Sequence, residues 1–195
     1  MGIASAVLLF LALLSGGSDK SQQTASVNVP AYDADGKLIT PKNYREWIYL
    51  SSGFDMSYSM RDKAPDHSMF DNVFVNPEAY KVFQQTGKWP DRTIFVLEAR
   101  MAESAGSINK AGHFQSADVM GADAHVKDES RGGWAFYDLD GERGTLIPKT
   151  ATCYSCHEQH AAVDTTFVQF YPTLIGIAKA KGTLSPAYQG ESAGK

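Results

Sequence analysis

The 195-residue sequence contains only two cysteines, Cys153 and Cys156, so any thiol chemistry must involve this pair. The chain also lacks a basic excess, because 18 Lys and Arg are outnumbered by 22 Asp and Glu, for a net charge of −4. Nucleic acid is therefore not an expected partner, and anionic membrane surfaces are disfavoured. The absence of internal repeats and long charged blocks argues against solenoid folds and charged tails.

Long apolar runs are also scarce, and the one at the start spans residues 1–14 before Ser15-Gly16-Gly17. This run is short for a bilayer span and resembles a secretory signal. We therefore expect residues 1–17 to be a signal peptide and the protein to be periplasmic. Because no Lys or Arg precedes the run, an uncleaved anchor remains the alternative, whereas the lack of a following cysteine excludes a lipid attachment there.

With 43% hydrophobic and 11% aromatic residues, the composition suits one sizeable core. We predict one domain over residues 40–181, preceded by a polar linker at 18–39 and followed by a flexible tail at 182–195.

Capping signals predict a short helix from Thr40-Pro41 to Ile48 and another from Asn76-Pro77 to Gly87. Alternating apolar residues predict strands at 93–101, 113–127 and 134–139. Helical signals return over 153–160 and continue over 162–170. The predicted fold class is α+β, an antiparallel sheet with peripheral helices.

The segment Cys153-Tyr154-Ser155-Cys156-His157 is a C-x-x-C-H motif. Two thiols at this spacing can reach the two vinyl groups of a porphyrin, and the next histidine then lies beneath the iron. The motif predicts one covalent haem c near the C-terminal helical segment, with His157 as the proximal iron ligand.

The motif has three other interpretations. A short-loop disulfide between the two cysteines is possible in an oxidising compartment. A redox C-x-x-C would normally open a helix after a strand in a βαβ unit, and no parallel pattern is visible here. A zinc site would need Cys153, Cys156, His157 and His160, and four ligands within eight residues give poor tetrahedral geometry.

The second axial position of the iron has no obvious ligand, because no methionine follows His157. Small electron-transfer cytochromes c usually carry the haem motif early and a methionine ligand downstream. The order here favours a five-coordinate iron. His113 and His125 share one face of a predicted strand and are candidates for a pocket on the opposite side of the iron, ahead of His67 and His160.

Several segments together resemble the cytochrome P-460 family, which includes the cytochromes c′-beta. They are Asn76-Pro77-Glu78-Ala79-Tyr80, Gly87-Lys88-Trp89-Pro90-Asp91, Gly133-Trp134-Ala135-Phe136, the C-x-x-C-H motif and Phe167-Val168-Gln169-Phe170-Tyr171-Pro172, and the likeness covers roughly 44–174. The resemblance implies a homodimer with a five-coordinate haem c open to small molecules. Some members oxidise hydroxylamine and carry a Lys link to the porphyrin, whereas others cap the iron with Phe and bind nitric oxide or carbon monoxide.

The linking Lys of the hydroxylamine oxidisers has no clear counterpart, because Thr93 to Met101 contains none and Lys88, Lys110 and Lys127 only flank the strands. Phe95 suits the Phe-capped type. Candidate proton acceptors for an oxidation are Glu98, Asp123 and His125. The sequence thus predicts an exported mono-haem c protein that binds or oxidises hydroxylamine or nitric oxide and serves a redox partner protein. The alternative is a periplasmic electron-transfer cytochrome without substrate chemistry, using an upstream Met or a strand His as the sixth ligand.

Overall fold

The computed structural model of the chain describes residues 28–57 and 67–193. The expected signal peptide at 1–17, the first part of the predicted linker and the last two residues lie outside the described residues. Within the described ranges, no helix has the length and apolar character needed to cross a membrane.

The described residues form one seven-stranded antiparallel sheet, which confirms the α+β prediction. Its strand order is β1-β7-β6-β5-β4-β3-β2, so each strand from β2 to β7 lies beside its neighbour in sequence and β1 completes the β7 edge. The strands are β1 (Leu38–Ile39), β2 (Ile48–Phe54), β3 (Met69–Val75), β4 (Ile94–Glu103), β5 (Phe114–Asp128), β6 (Gly133–Asp140) and β7 (Arg143–Leu146).

Four α-helices surround the sheet in the described part of the chain: α1 (Pro77–Thr86), α2 (Thr152–His160), α3 (Ile175–Lys181) and α4 (Pro186–Ala193). The predicted boundaries of α1 are confirmed. Pro77 begins the helix, and Gly87 ends it at φ 70°, donating its N–H to the Phe83 carbonyl at 2.7 Å.

Alternate residues of β4 enter two different cores, because successive side chains of a strand point to opposite faces of the sheet. Phe95 joins the helix-covered core, in which Phe83, Trp89 and Leu174 are buried. Ile94 and Val96 join a second core on the opposite face, packed with Leu38, Tyr44, Trp47 and Tyr137. The helices therefore contact only those side chains that point to one face of the sheet.

Two helix predictions are wrong. Between Thr40 and Ile48 only Tyr44–Glu46 form a 3-10 turn, because Tyr44 and Trp47 are buried in the second core and Ile48 already begins β2. The predicted helical continuation over 162–170 does not form as one helix, because α2 ends at His160 and a tight turn follows at 163–166. In this turn Asp164 adopts φ 52°, and the Thr166 N–H donates to the Val163 carbonyl at 2.9 Å.

The predicted domain boundaries are also too narrow. Residues 28–39 are not a linker, since Leu38 is fully buried and pairs with β7, and the Asn28 carbonyl accepts a hydrogen bond from the Asn76 side chain at 2.8 Å. The predicted tail contains α4, which packs on α2, and Ser185 donates its N–H to Ala162 at 2.8 Å. The folded unit therefore extends over 28–39 and 182–193 as well.

Candidate functional site

A cavity of about 240 Å³ brings together five of the seven residues singled out from the sequence. Cys153 and His157 come from α2, whereas Phe95, Asp123 and His125 come from β4 and β5. Much of the remaining cavity wall consists of four aromatic side chains, Phe136, Phe167, Phe170 and Tyr171. The helix that carries the C-x-x-C-H motif thus lies against an apolar pocket on the helix-covered face of the sheet.

Tyr154, inside the motif, fastens α2 to the sheet. Its hydroxyl accepts the Phe136 N–H at 2.9 Å and donates to the Ile147 carbonyl at 3.2 Å. Cys153 and Cys156 are three positions apart and so lie on neighbouring parts of one helix side. Cys153 lines the cavity, and the Cys156 thiol has its pKa raised by burial and by the nearby Cys153 and Glu191. Both thiols are partly exposed and unpaired.

The orientation of His157 is set by a backbone carbonyl. Its Nδ1 lies 2.7 Å from the Thr165 oxygen, an acceptor, so Nδ1 carries the proton and donates it. Burial lowers the pKa of His157, although the bond to Thr165 opposes this shift. The imidazole is therefore neutral at pH 7, and Nε2 keeps the lone pair that a metal requires.

His125 lies beside His157 and not across from it. The two rings meet edge to face at 5.3 Å between centroids, while His125 stacks on Phe136 at 4.1 Å. Burial, His157 and Lys149 together hold the pKa of His125 well below its usual value, so the ring is neutral. The expectation that His125 faces the iron from the opposite side does not fit this placement.

His113 does not share the cavity with His125, because irregularities in the β4–β5 pairing interrupt the parity that the sequence suggested. It lies just before β5 and stacks on Phe54 at 4.7 Å. His160, on α2, is hydrogen-bonded to Glu191 of α4. Neither residue lines the cavity.

The two carboxylate candidates lie on opposite faces of the sheet. Glu98 points away from the cavity and is bound by Tyr44, Arg45 and Arg100, whose hydrogen bonds lower its pKa although burial opposes them. It is a structural ion-pair partner, and the hypothesis of a proton acceptor does not fit it. Asp123 lies on the cavity wall, where burial raises its pKa and the carboxylates of Asp138 and Asp71 raise it further.

Asp123→Asn should raise the thermal stability of the protein at pH 7. A raised pKa in the folded state means that the ionised carboxylate is disfavoured there, so wild-type stability falls as the pH rises through the folded pKa. Asn removes this cost. Because the side chain is open to the cavity, we expect a gain of only about 2 °C at pH 7. The gain should vanish below the usual pKa range of aspartate, as measured by thermal unfolding across pH.

Asp35→Asn is the matched control, since Asp35 is an exposed carboxylate in a surface turn. Its melting temperature should follow that of the wild type at every pH. Equal melting temperatures for Asp123→Asn and wild type at pH 7 and pH 4 would mean that neither burial nor the neighbouring carboxylates disfavour the ionised form of Asp123.

Phe95 lines the cavity, as a Phe-capped pocket requires, and its ring packs edge to face on Trp89 at 4.7 Å. No lysine is among the described residues of the cavity wall. Of the lysines considered from the sequence, Lys127 donates to the Trp89 carbonyl at 3.0 Å, and Lys88 and Lys110 lie elsewhere. The described wall of this cavity thus contains no lysine that could link to a porphyrin.

Three residues of the site were not predicted from the sequence. Met56, two residues beyond the end of β2, and Asp71, on β3, line the cavity, and neither strand was predicted from the sequence. The Met56 sulfur packs over Gly53, where an added Cβ would lie 2.5 Å from it. Thr165 binds His157 through its main chain, which leaves no side-chain pattern in the sequence.

The chemistry of these residues fits a haem. A flat apolar macrocycle needs an aromatic-lined pocket, a covalent attachment needs two thiols on one helix, and an iron ligand needs a neutral imidazole with a free nitrogen. Cys153 and His157 line one aromatic cavity, and Cys156 lies on the same helix three positions after Cys153. A zinc clip is not supported, because the described residues contain no group of three or more His, Cys, Asp or Glu arranged to hold a metal ion.

Comparison with known proteins gives one family. A search of curated proteins found no match. The family model described as Cytochrome P460 matches residues 41–168, about two thirds of the chain, and this range contains every named residue of the candidate site except Phe170 and Tyr171. The chain therefore belongs to the cytochrome P460 family, and it is a haem-binding protein.

Proposed function

We propose that this protein carries one haem c, joined by thioether bonds to Cys153 and Cys156 with His157 as the iron ligand, and that it binds small nitrogen compounds. Nitric oxide and hydroxylamine are the candidate ligands. When bound, the haem supplies an iron that coordinates such ligands and changes its oxidation state by one electron.

The observation that carries the proposal is the hydrogen bond from His157 Nδ1 to the Thr165 carbonyl. A metal-binding histidine characteristically donates its second ring nitrogen to a carbonyl or carboxylate, which fixes the tautomer and the ring orientation. His157 has this bond and lines the same cavity as Cys153. His113 stacks on Phe54 and His160 bonds to Glu191, and neither of these histidines lines the cavity.

The other cavity residues are suited to selecting a small ligand. Phe95, Phe136 and Phe167 make the wall apolar and exclude water from most of it. Asp123, with its raised pKa, is positioned to take a proton from a bound hydroxylamine. Because the described residues place no lysine at the wall, they favour ligand binding in a Phe-lined pocket over oxidation in a Lys-linked one.

An electron carrier without substrate chemistry is the second candidate, and one observation favours it. Met56 lines the cavity that contains His157, and a thioether is a common sixth ligand in cytochromes c. Such a carrier would have a six-coordinate, low-spin iron that does not bind external ligands.

The absorption spectrum of the purified protein, ferric and dithionite-reduced, with and without carbon monoxide, tests these functions. We expect a high-spin haem c spectrum that shifts on addition of carbon monoxide. A reduced Soret band displaced far to the red would indicate a Lys-modified porphyrin and a hydroxylamine oxidiser. A low-spin spectrum that does not change on addition of carbon monoxide would overturn the proposal in favour of the electron carrier.

Export, assembly and partners are proposals that the sequence supports. The apolar run at 1–14 supports a periplasmic location, soluble or N-terminally anchored. The family resemblance supports a homodimer, and one-electron chemistry at a haem requires a redox partner protein to supply or remove electrons.

A further inference from the structure

Thr165 contacts two histidines with two different groups. Its carbonyl accepts the hydrogen bond from His157 Nδ1 at 2.7 Å, and its hydroxyl lies 3.1 Å from His125 Nε2. One residue thus joins the proposed iron ligand on α2 to a buried histidine on β5. His125 has no assigned role in ligand binding, since it lies beside His157.

The turn that presents Thr165 is fixed at both ends. The Thr166 hydroxyl donates to the Val163 carbonyl at 2.8 Å and accepts the Trp89 indole N–H at 2.8 Å, all within the buried core. Asp164 holds the left-handed conformation that reverses the chain. These contacts fix the position of the turn, but they do not bind the Thr165 side chain itself.

The ring of His125 is held more firmly than the turn. It stacks on Phe136 at 4.1 Å and lies against Trp134 at 4.4 Å, and only 8% of the residue is exposed. Both aromatic neighbours belong to β6, which pairs with β5, the central strand of the seven and the one that carries His125. The hydrogen bond between this ring and the Thr165 hydroxyl therefore ties Thr165 to the interior of the sheet.

We propose that His125 is a positioning residue for His157, acting through the hydroxyl and the carbonyl of Thr165. The tether holds the carbonyl in line with His157 Nδ1, which strengthens that hydrogen bond. A stronger bond at Nδ1 makes the imidazole a better electron donor at Nε2 and stabilises the ferric state of the haem. The inference rests on the proposed role of His157 as the iron ligand.

Thr165→Val removes the hydroxyl, keeps the branched shape and leaves the backbone carbonyl in place. We expect about a tenfold change in the equilibrium constant for haem reduction, in favour of the ferrous state. For one electron this corresponds to a rise of about 59 mV in the reduction potential. Spectroelectrochemical titration of the full-length holoprotein measures the potential, and resonance Raman spectroscopy should show a lower iron–histidine stretching frequency.

Thr165→Ser is the matched control, because serine retains the hydroxyl and should restore both signals. His125→Phe, which fits the same aromatic slot, provides a second route if Thr165→Val folds poorly, and it should raise the potential by a similar amount. Since both changes break one bond, the double variant should shift no further than either single variant.

A potential unchanged in both single variants, or additive shifts in the double variant, would overturn the inference, even if the melting temperature falls. Failure of the proposed function looks different. If denatured wild-type protein carries no haem, the proposed function itself fails, and if His157→Gly leaves the spectrum of the holoprotein unchanged, then His157 is not the ligand and the inference fails with it.

Discussion

The double variant Cys153→Ala, Cys156→Ala should lose covalent haem completely. In the proposed attachment each thiol would add across one vinyl group of the porphyrin, and the chain has no other cysteine to replace either one. Both thiols lie within one helical stretch beside the cavity, so removing them leaves the pocket itself intact. Haem staining after denaturing electrophoresis, together with the mass of the denatured protein, measures the attachment.

Each single cysteine variant should keep one thioether and stain more weakly than the wild type. Ser155→Ala is the control, because Ser155 lies between the two cysteines and its exposed hydroxyl only bonds to the Thr152 carbonyl at 2.9 Å. It should bind haem as the wild type does. Haem that remains bound to the denatured double variant would show that another side chain makes the covalent link.

Elements with strong local signals could be predicted from the sequence. The Pro77 start and Gly87 end of α1 and the alternation of β4 each depend on a few neighbouring residues, and all appear in the structure. The C-x-x-C-H motif similarly located α2. Strands β2 and β3 were missed because the polar runs Ser51-Ser52-Gly53 and Asp71-Asn72 interrupt the alternation of apolar residues. Ser51, Gly53 and Asp71 of these runs line the cavity.

Predictions that required long-range geometry were less successful. Glu98 and Asp123 are equivalent in sequence as carboxylates on neighbouring strands, yet their opposite parity puts one among arginines and the other on the cavity wall. The pairing of His113 with His125 failed because irregular register in β4–β5 shifts the parity between them. The contact between Thr165 and His157 involves a main-chain oxygen, so it cannot be predicted from the type of side chain at position 165.

His157→Gly should leave the haem covalently attached while removing its iron ligand. The two proposed thioethers would not depend on the imidazole, whereas the ring nitrogen Nε2 is the only atom of this residue available to bind iron once Nδ1 donates to Thr165. We expect the absorption spectrum of the variant to differ from that of the wild type in both oxidation states. Added imidazole should enter the space left by the side chain and restore a spectrum close to that of the wild type.

His160→Gly distinguishes loss of a ligand from damage to the helix. Both histidines lie in the last turn of α2, so each glycine costs the helix a similar amount, about 1 kcal/mol relative to alanine. His160 is bonded to Glu191 and lies outside the cavity wall, and its removal should lower the melting temperature slightly without changing the spectrum. If both variants show the same spectral change, or if imidazole restores neither, the iron is not held by His157. If only His157→Gly changes and imidazole reverses it, the ligand is identified by a signal that altered folding alone does not produce.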